Sequence, residues 1–249
     1  MSETNERTSV TIKDREWQCD GLAAGQGRRC LVLHEPEPCA LLVQPVEAEE
    51  LAARDGLLEE VATIREAVSV PLAVAFISVD DWNRELSPWQ APPVFGKQAF
   101  GAGAGDTLAL IEELLPELRH RYGLPDGAPT VLGGYSLAAL FSLWSTYESA
   151  SFAAIAAASP SVWFPGWLDY AKSHHPQAKA IYLSLGDREA KTRNPVMCTV
   201  STCIEEQHAL LQQAGIKTTL AWNPGNHFQH PEQRCAKAFA WCLEQMFLL

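Results

Sequence analysis

Two spacings of apolar residues alternate along the chain. Pro71–Val79 (PLAVAFISV) and Ala180–Leu185 (AIYLSL) are apolar at nearly every position, as strands buried on both faces must be. Leu57–Val68 and Thr107–Tyr122 instead repeat apolar residues every three or four positions, the spacing of a helix with one buried face. For the second of these, Asp106 is the expected N-cap, Gly123 the stop, and Pro116 a site for a kink. Pro129–Leu132, Phe152–Ala157 and Thr218–Trp222 read as further strands, and 138–147, Val200–Ala214 and Pro231–Phe247 as further helices. The chain before about Gln44 is β-rich, with strands at Thr8–Lys13, Arg29–His34 and Cys39–Gln44. Glu35-Pro36-Glu37-Pro38 reads as a hairpin-like connection between the last two.

Strands alternating with helices at this spacing predict a three-layer α/β protein. Its central sheet would be mostly parallel, with helices on both faces and an antiparallel N-terminal edge. No repeat or low-complexity linker divides the 249 residues, so one domain over 1–249 is expected, and no stretch is long enough for a cap domain. A hydrophobic fraction of 47% supplies a sizeable core. The net charge of −11 argues against nucleic acid or an anionic membrane surface as partner. The polar start MSETNERTSV lacks the apolar segment of a signal peptide, and no run approaches the length of a membrane span. Seven scattered cysteines without a CxxC pair read as reduced packing residues of a cytoplasmic protein, and no metal or organic cofactor is implied. Oligomeric state is not legible.

The chemistry starts at VLGGYSLAAL. An apolar strand runs into Gly133-Gly134-Tyr135-Ser136-Leu137-Ala138, and a small-residue helix begins at once. This is the layout of a nucleophile elbow, with Ala138 in place of the final glycine of Gly-x-Ser-x-Gly. Two further candidate groups fall beyond strand ends, where open α/β sheets keep their reactive residues. Asp187 and Glu189 lie in LGDREAKTRN, and His227 in WNPGNHFQ. A serine hydroxyl attacks well only if an imidazole takes its proton, and a carboxylate must fix that imidazole's tautomer. The order Ser, acid, His is that of the α/β-hydrolase triad. On position alone Asp187 and Glu189 both remain open. Leu137 N–H would be one oxyanion donor, and the segment Gln44-Pro45-Val46-Glu47 should supply the second; Pro45 has no N–H, and Val46 is the expected donor. His230 is the rival base; His208, His174 and His175 read as surface residues. Tyr135, Trp82 and Trp163 are candidate substrate contacts, from the aromatic segments Trp82–Trp89 and Trp163–Trp167. The glycine-rich FGAGAGD does not follow a strand and lacks a GK[ST] ending, so it reads as a flexible loop.

GGYSLAALFSLW, FAAIAAASPSVWF, LSLGDREAKTRNPVM and WNPGNHF together resemble the esterase D-like branch of the α/β-hydrolases, from about Cys39 onward. That branch includes siderophore trilactone esterases, feruloyl esterases, S-formylglutathione hydrolases and mycolyltransferases. The resemblance implies an α/β-hydrolase fold and a serine carboxylesterase acting on a small-molecule ester. Several members carry a glutamate about three residues after the glycine that ends the penultimate strand, which selects Glu189 over Asp187. Acyl transfer by the same three residues, or a hydrolase-fold protein that binds without turnover, are the alternatives. The chain departs from the branch at Ala138 and at Gln44-Pro45, where His-Gly is usual.

Overall fold

The computed structural model describes residues 7–25 and 27–247; the first six residues of the polar N-terminus lie outside them. Nine strands among the described residues form one sheet. They are β1 (Arg7–Ile12), β2 (Arg15–Ala23), β3 (Arg29–His34), β4 (Ala40–Glu47), β5 (Leu72–Val79), β6 (Thr130–Tyr135), β7 (Ala154–Ala158), β8 (Ala180–Gly186) and β9 (Lys217–Asn223). Their order across the sheet is β1-β2-β3-β5-β4-β6-β7-β8-β9. From β5 to β9 every neighbouring pair is parallel; β1, β2 and β3 make an antiparallel edge that meets β5 through β3.

Helices cover both faces, which is why the central strands are apolar without alternation. On one side α2 (Asp55–Ala67) and α8 (Pro231–Phe247) press Leu57, Ile64 and Phe239 against Leu42, Val74 and Val131. On the other, α4 (Ala104–Arg121), α5 (Leu137–Glu148) and α7 (Val200–Gln213) set Ile111, Phe141 and Ile204 against Leu41, Val43 and Leu132. Each such side chain contributes about 1.5–3 kcal/mol on burial. The described residues also hold three short α-helices, α1 (Ala48–Ala53), α3 (Trp82–Glu85) and α6 (Trp167–Ser173), and one 3-10 turn, Met197–Thr199. Among the described residues no separate cap covers the strand ends, and no helix is long and apolar enough to cross a membrane.

Several expected features differ. Glu35-Pro36-Glu37-Pro38 does not join a hairpin: β5 lies between β3 and β4, so the connection steps over one strand. β2 escapes the pattern because its alternation, with Trp17 and Cys19 inward, is broken by buried Asp20, which accepts a hydrogen bond from Tyr122 at 3.1 Å. The strand expected over Cys39–Gln44 runs on to Glu47, because Pro45 and Val46 stay in register with Ile77 and Ser78 of β5. α4 begins at Ala104 with Gly103 as its N-cap, so Asp106 lies inside the first turn. The helix continues through Pro116. The preceding glycines are packing residues, since a Cβ on Gly101 would stand 2.7 Å from Arg84 Cα. The α3 residues they pack against are fixed in turn by the buried Arg28–Glu85 ion pair.

Candidate active site

Ser136 sits at the junction of β6 and α5 with φ 57° and ψ −116°, in the left-handed half of backbone space that a residue with a Cβ rarely enters. Such a conformation costs on the order of 1–3 kcal/mol and needs surrounding structure to hold it. Ser136 N–H donates to Ala158 O at 3.2 Å, and Ser161 N–H donates to Ser136 O at 3.1 Å, so β7 and the turn after it clamp both sides of the elbow. The methyl of Ala138 is accommodated at the expense of Gly134. A Cβ on Gly134 would come within 2.7 Å of Ala138 Cβ.

Ser136 Oγ lies 3.0 Å from His227 Nε2, and His227 Nδ1 lies 2.7 Å from Glu189 Oε2. The three residues follow β6, β8 and β9, which lie within a run of four adjacent strands, β6-β7-β8-β9. Asp187 turns elsewhere. Its carboxylate is exposed and accepts the Gly225 N–H at 2.8 Å, which ties the loop after β8 to the loop that carries His227. Backbone bonds reinforce that tie, from Asp187 N–H to Asn223 O and from Arg188 N–H to Gly225 O. His230 is exposed, and its backbone carbonyl accepts Arg234 N–H at the start of α8.

Glu189 Oε1 accepts three donors: Gly186 N–H at 2.7 Å, Ser159 Oγ at 2.8 Å and Arg234 Nη1 at 2.8 Å. Burial alone would raise this carboxyl, but hydrogen bonding and charge from His227, with the Gly186 amide and Ser159, outweigh it and hold the acid below its ordinary value. Glu189 is therefore an ionised, immobile acceptor for an imidazole N–H.

Arg234 and Ser159 are the residues that sequence reasoning missed. Arg234 is 2% exposed and fans across the site. Beyond Glu189 it donates to Tyr135 Oη at 2.9 Å, to Ser159 Oγ at 3.1 Å, and to the carbonyls of Pro224 and Asn226 in the histidine loop. A signal was present: Arg234 falls on the inward face of α8 beside Cys235 and Ala238, where a charge must have partners.

The expected substrate contacts are distributed differently. Tyr135 faces the histidine, its ring 5.0 Å from the imidazole and its hydroxyl donating to His227 O at 2.7 Å. Burial pushes its phenol up to about 12, so it stays a neutral donor. Trp163 is half-buried and packs edge-on to exposed Phe95, with Phe100 beside both. Trp89 Nε1–H donates to Pro165 O at 2.8 Å, so the two aromatic segments form one wall. Trp167, by contrast, is fully buried and donates to Gln207. Phe228, 87% exposed, stands edge-on to His227 at 5.5 Å. Leu137 opens α5, where first-turn amides have no intrahelical acceptor. Val46 lies fully buried inside β4. Among the described residues no group of three or more His, Cys, Asp or Glu side chains could hold a metal ion.

No family model and no curated protein sequence matches the chain. Solved structures do. The siderophore hydrolase EstA from Aspergillus nidulans superposes with a TM-score of 0.68 at 18% identity, over 97% of this chain and 94% of that one. An IroE-like serine hydrolase from Shewanella oneidensis gives 0.72 at 15% identity, over 98% and 82%. The enterobactin esterase FES from Shigella flexneri, in the presence of 2,3-di-hydroxy-N-benzoyl-glycine, gives 0.67 at 17% identity. That match takes in 99% of this chain, which spans 61% of the Shigella protein. At these identities the likeness is one of chain course, and with the strand order above it establishes that this protein has the α/β-hydrolase fold.

Proposed function

We propose that the chain is a serine hydrolase that cleaves carboxylic esters of small molecules through an acyl-enzyme on Ser136. The observation that carries this is the unbroken relay Ser136 Oγ–His227 Nε2 and His227 Nδ1–Glu189 Oε2, at 3.0 and 2.7 Å, on a strained strand–helix turn. Ser136 Oγ attacks the ester carbonyl while His227 Nε2 takes its proton. Glu189, kept ionised, accepts the Nδ1–H and stabilises the imidazolium. The oxyanion is received by Leu137 N–H and by a second donor at the end of β4, for which Val46 N–H is our assignment. Collapse expels the alcohol, which takes the proton from Nε2. A water then attacks the acyl carbon, giving its proton to His227, and the proton returns to Ser136 as the acid leaves.

The fold shared with a siderophore hydrolase, an enterobactin esterase and a serine hydrolase supports ester cleavage as the reaction class. The Phe95–Trp163 wall and Phe228 suit an aryl or bulky acyl group. All seven cysteines are free thiols, which suits a reducing compartment, and we assign the cytoplasm. The test is fluorophosphonate labelling with identification of the modified peptide. Label on Ser136, blocked by prior acylation with a p-nitrophenyl ester, supports the reading; label elsewhere, or none on folded protein, overturns it.

A further inference from the structure

Beside the serine, on the α2 and α8 face of the sheet, a small closed-in cavity is lined by Gln44, Glu50, Glu60, Trp82, Tyr135 and Glu232. It adjoins the site through Tyr135, whose ring lies against His227. Glu60 and Gln44 are 2% and 4% exposed, and Gln44 Nε2 donates to Glu60 Oε2 at 3.3 Å. That bond uses one polar atom of each. The remaining two, Gln44 Oε1 and Glu60 Oε1, are buried without a hydrogen-bond partner. Native proteins rarely leave such atoms unpaired, and each left so costs about 1–3 kcal/mol. The cavity therefore asks for hydrogen-bond donors.

Its charge and walls narrow the donor. Glu50 from α1 and Glu232 from α8 also line the cavity and repel an anion. Burial first, and then these two carboxylates, hold Glu60 well above its ordinary value, a cost that an adjacent positive charge would relieve. Trp82 and Tyr135 add to the lining, and aromatic rings attract organic cations. The carboxylates do not converge as metal ligands do. A group with several N–H donors, a positive charge and an alkyl stem meets every one of these demands.

We propose that this cavity is a subsite for a primary ammonium group, held by Glu60 and Gln44 with Trp82 and Tyr135 as its walls. Resting on the esterase reading, this places a bound ammonium next to the triad, which the cavity adjoins through Tyr135. The ammonium belongs either to the ester itself or to a separate small amine bound beside it.

Two measurements test the subsite and keep it apart from that reading. Calorimetric titration of the full chain with propylammonium chloride should show saturable binding, absent with tetramethylammonium chloride, which has no N–H, and with potassium chloride. Glu60→Gln should weaken it at least about tenfold, and Glu232→Gln, at a half-buried lining residue, should weaken it less. Equal behaviour of the three salts, or unchanged binding in both variants, overturns the proposal whether or not esters are cleaved. Saturable binding without any ester cleavage sinks the esterase reading and leaves the subsite standing. The second measurement is kcat/KM for phenyl 6-aminohexanoate against phenyl hexanoate. A ratio of about 10 or more that collapses toward 1 in Glu60→Gln, with propylammonium competing, assigns the ammonium to the substrate. A ratio near 1 alongside saturable propylammonium binding assigns it to a separate amine.

Discussion

Arg234 Nη1 donates to Glu189 Oε1 at 2.8 Å, while the other oxygen of that carboxylate faces His227 at 2.7 Å. One guanidinium thus holds the acid by one side, and its second arm grips the Pro224 and Asn226 carbonyls of the loop that presents the histidine. The acid and base loops thus share one buried cation on α8, in addition to the bonds that join them directly.

Removing that cation should therefore disturb both loops. Arg234→Met leaves Glu189 buried beside two abandoned carbonyls, and a loss of about 3–5 kcal/mol is expected. Arg234→Lys keeps the charge but cannot span both partners, so it should lose less stability and still lower kcat. Thermal unfolding and steady-state kinetics on both variants measure this; a kcat for Arg234→Lys equal to wild type would show that the grip on the histidine loop is dispensable.

Ser136→Ala should fold as the wild type does and lose about 10⁴-fold or more in ester hydrolysis. Ser136→Gly should be equally inactive yet more stable, by about 1 kcal/mol, because glycine adopts φ 57° without strain. Chemical denaturation of the two variants compares them directly.

Glu189→Gln should cut kcat by about 10²–10⁴, and Asp187→Asn much less, since Asp187 holds Gly225 and not the imidazole. The acid also has a stability signature. Its folded value is depressed, so its contribution is present above the ordinary 4.5 and is lost as pH falls below it. The melting temperature of wild type should fall more steeply below that pH than that of Glu189→Gln. Glu60 carries the opposite sign. Its folded value is raised, so its contribution is lost as pH climbs, and Glu60→Gln should gain on wild type at neutral pH.

The elbow's altered glycine pattern predicts a compensating pair. Gly134→Ala drives a methyl into Ala138 and should cost about 1–3 kcal/mol or more. Adding Ala138→Gly should recover part of this, the rest persisting because Ala138 C would still lie 3.2 Å from the new methyl. Additive losses in the double variant would mean that the two positions are not in contact.

Esters and peptide amides separate the reaction class. Small aryl esters should turn over and extended peptides should not, as kcat/KM on a panel of p-nitrophenyl esters beside peptide amides would show; cleavage of the amides at comparable rates would remove the ester assignment.

The central strands and the main helices were legible because a parallel sheet covered on both faces writes unbroken apolar runs, as at Leu72–Val79. The order of groups at the strand ends was legible because Ser136, Glu189 and His227 each follow a strand closely. What was hidden depends on contacts distant in sequence. Asp20 breaks the β2 alternation for the sake of Tyr122, 102 residues on. Arg234 stands on the apolar face of α8, but its partner Glu189 is unknown until that helix is docked. Glu60 likewise reads as an ordinary helix glutamate until β4 sets Gln44 against it.

The insertion of β5 between β3 and β4 bears on how the chain is made. Strands β1 to β3 attach to the rest of the sheet through one antiparallel ladder, Cys30–His34 against Ala73–Ile77. During synthesis the first three strands can pair among themselves, but they must wait for some forty further residues before their docking edge exists. Until then β3 carries an open edge of Cys30-Leu31-Val32-Leu33, an aggregation hazard that β5 closes when it arrives.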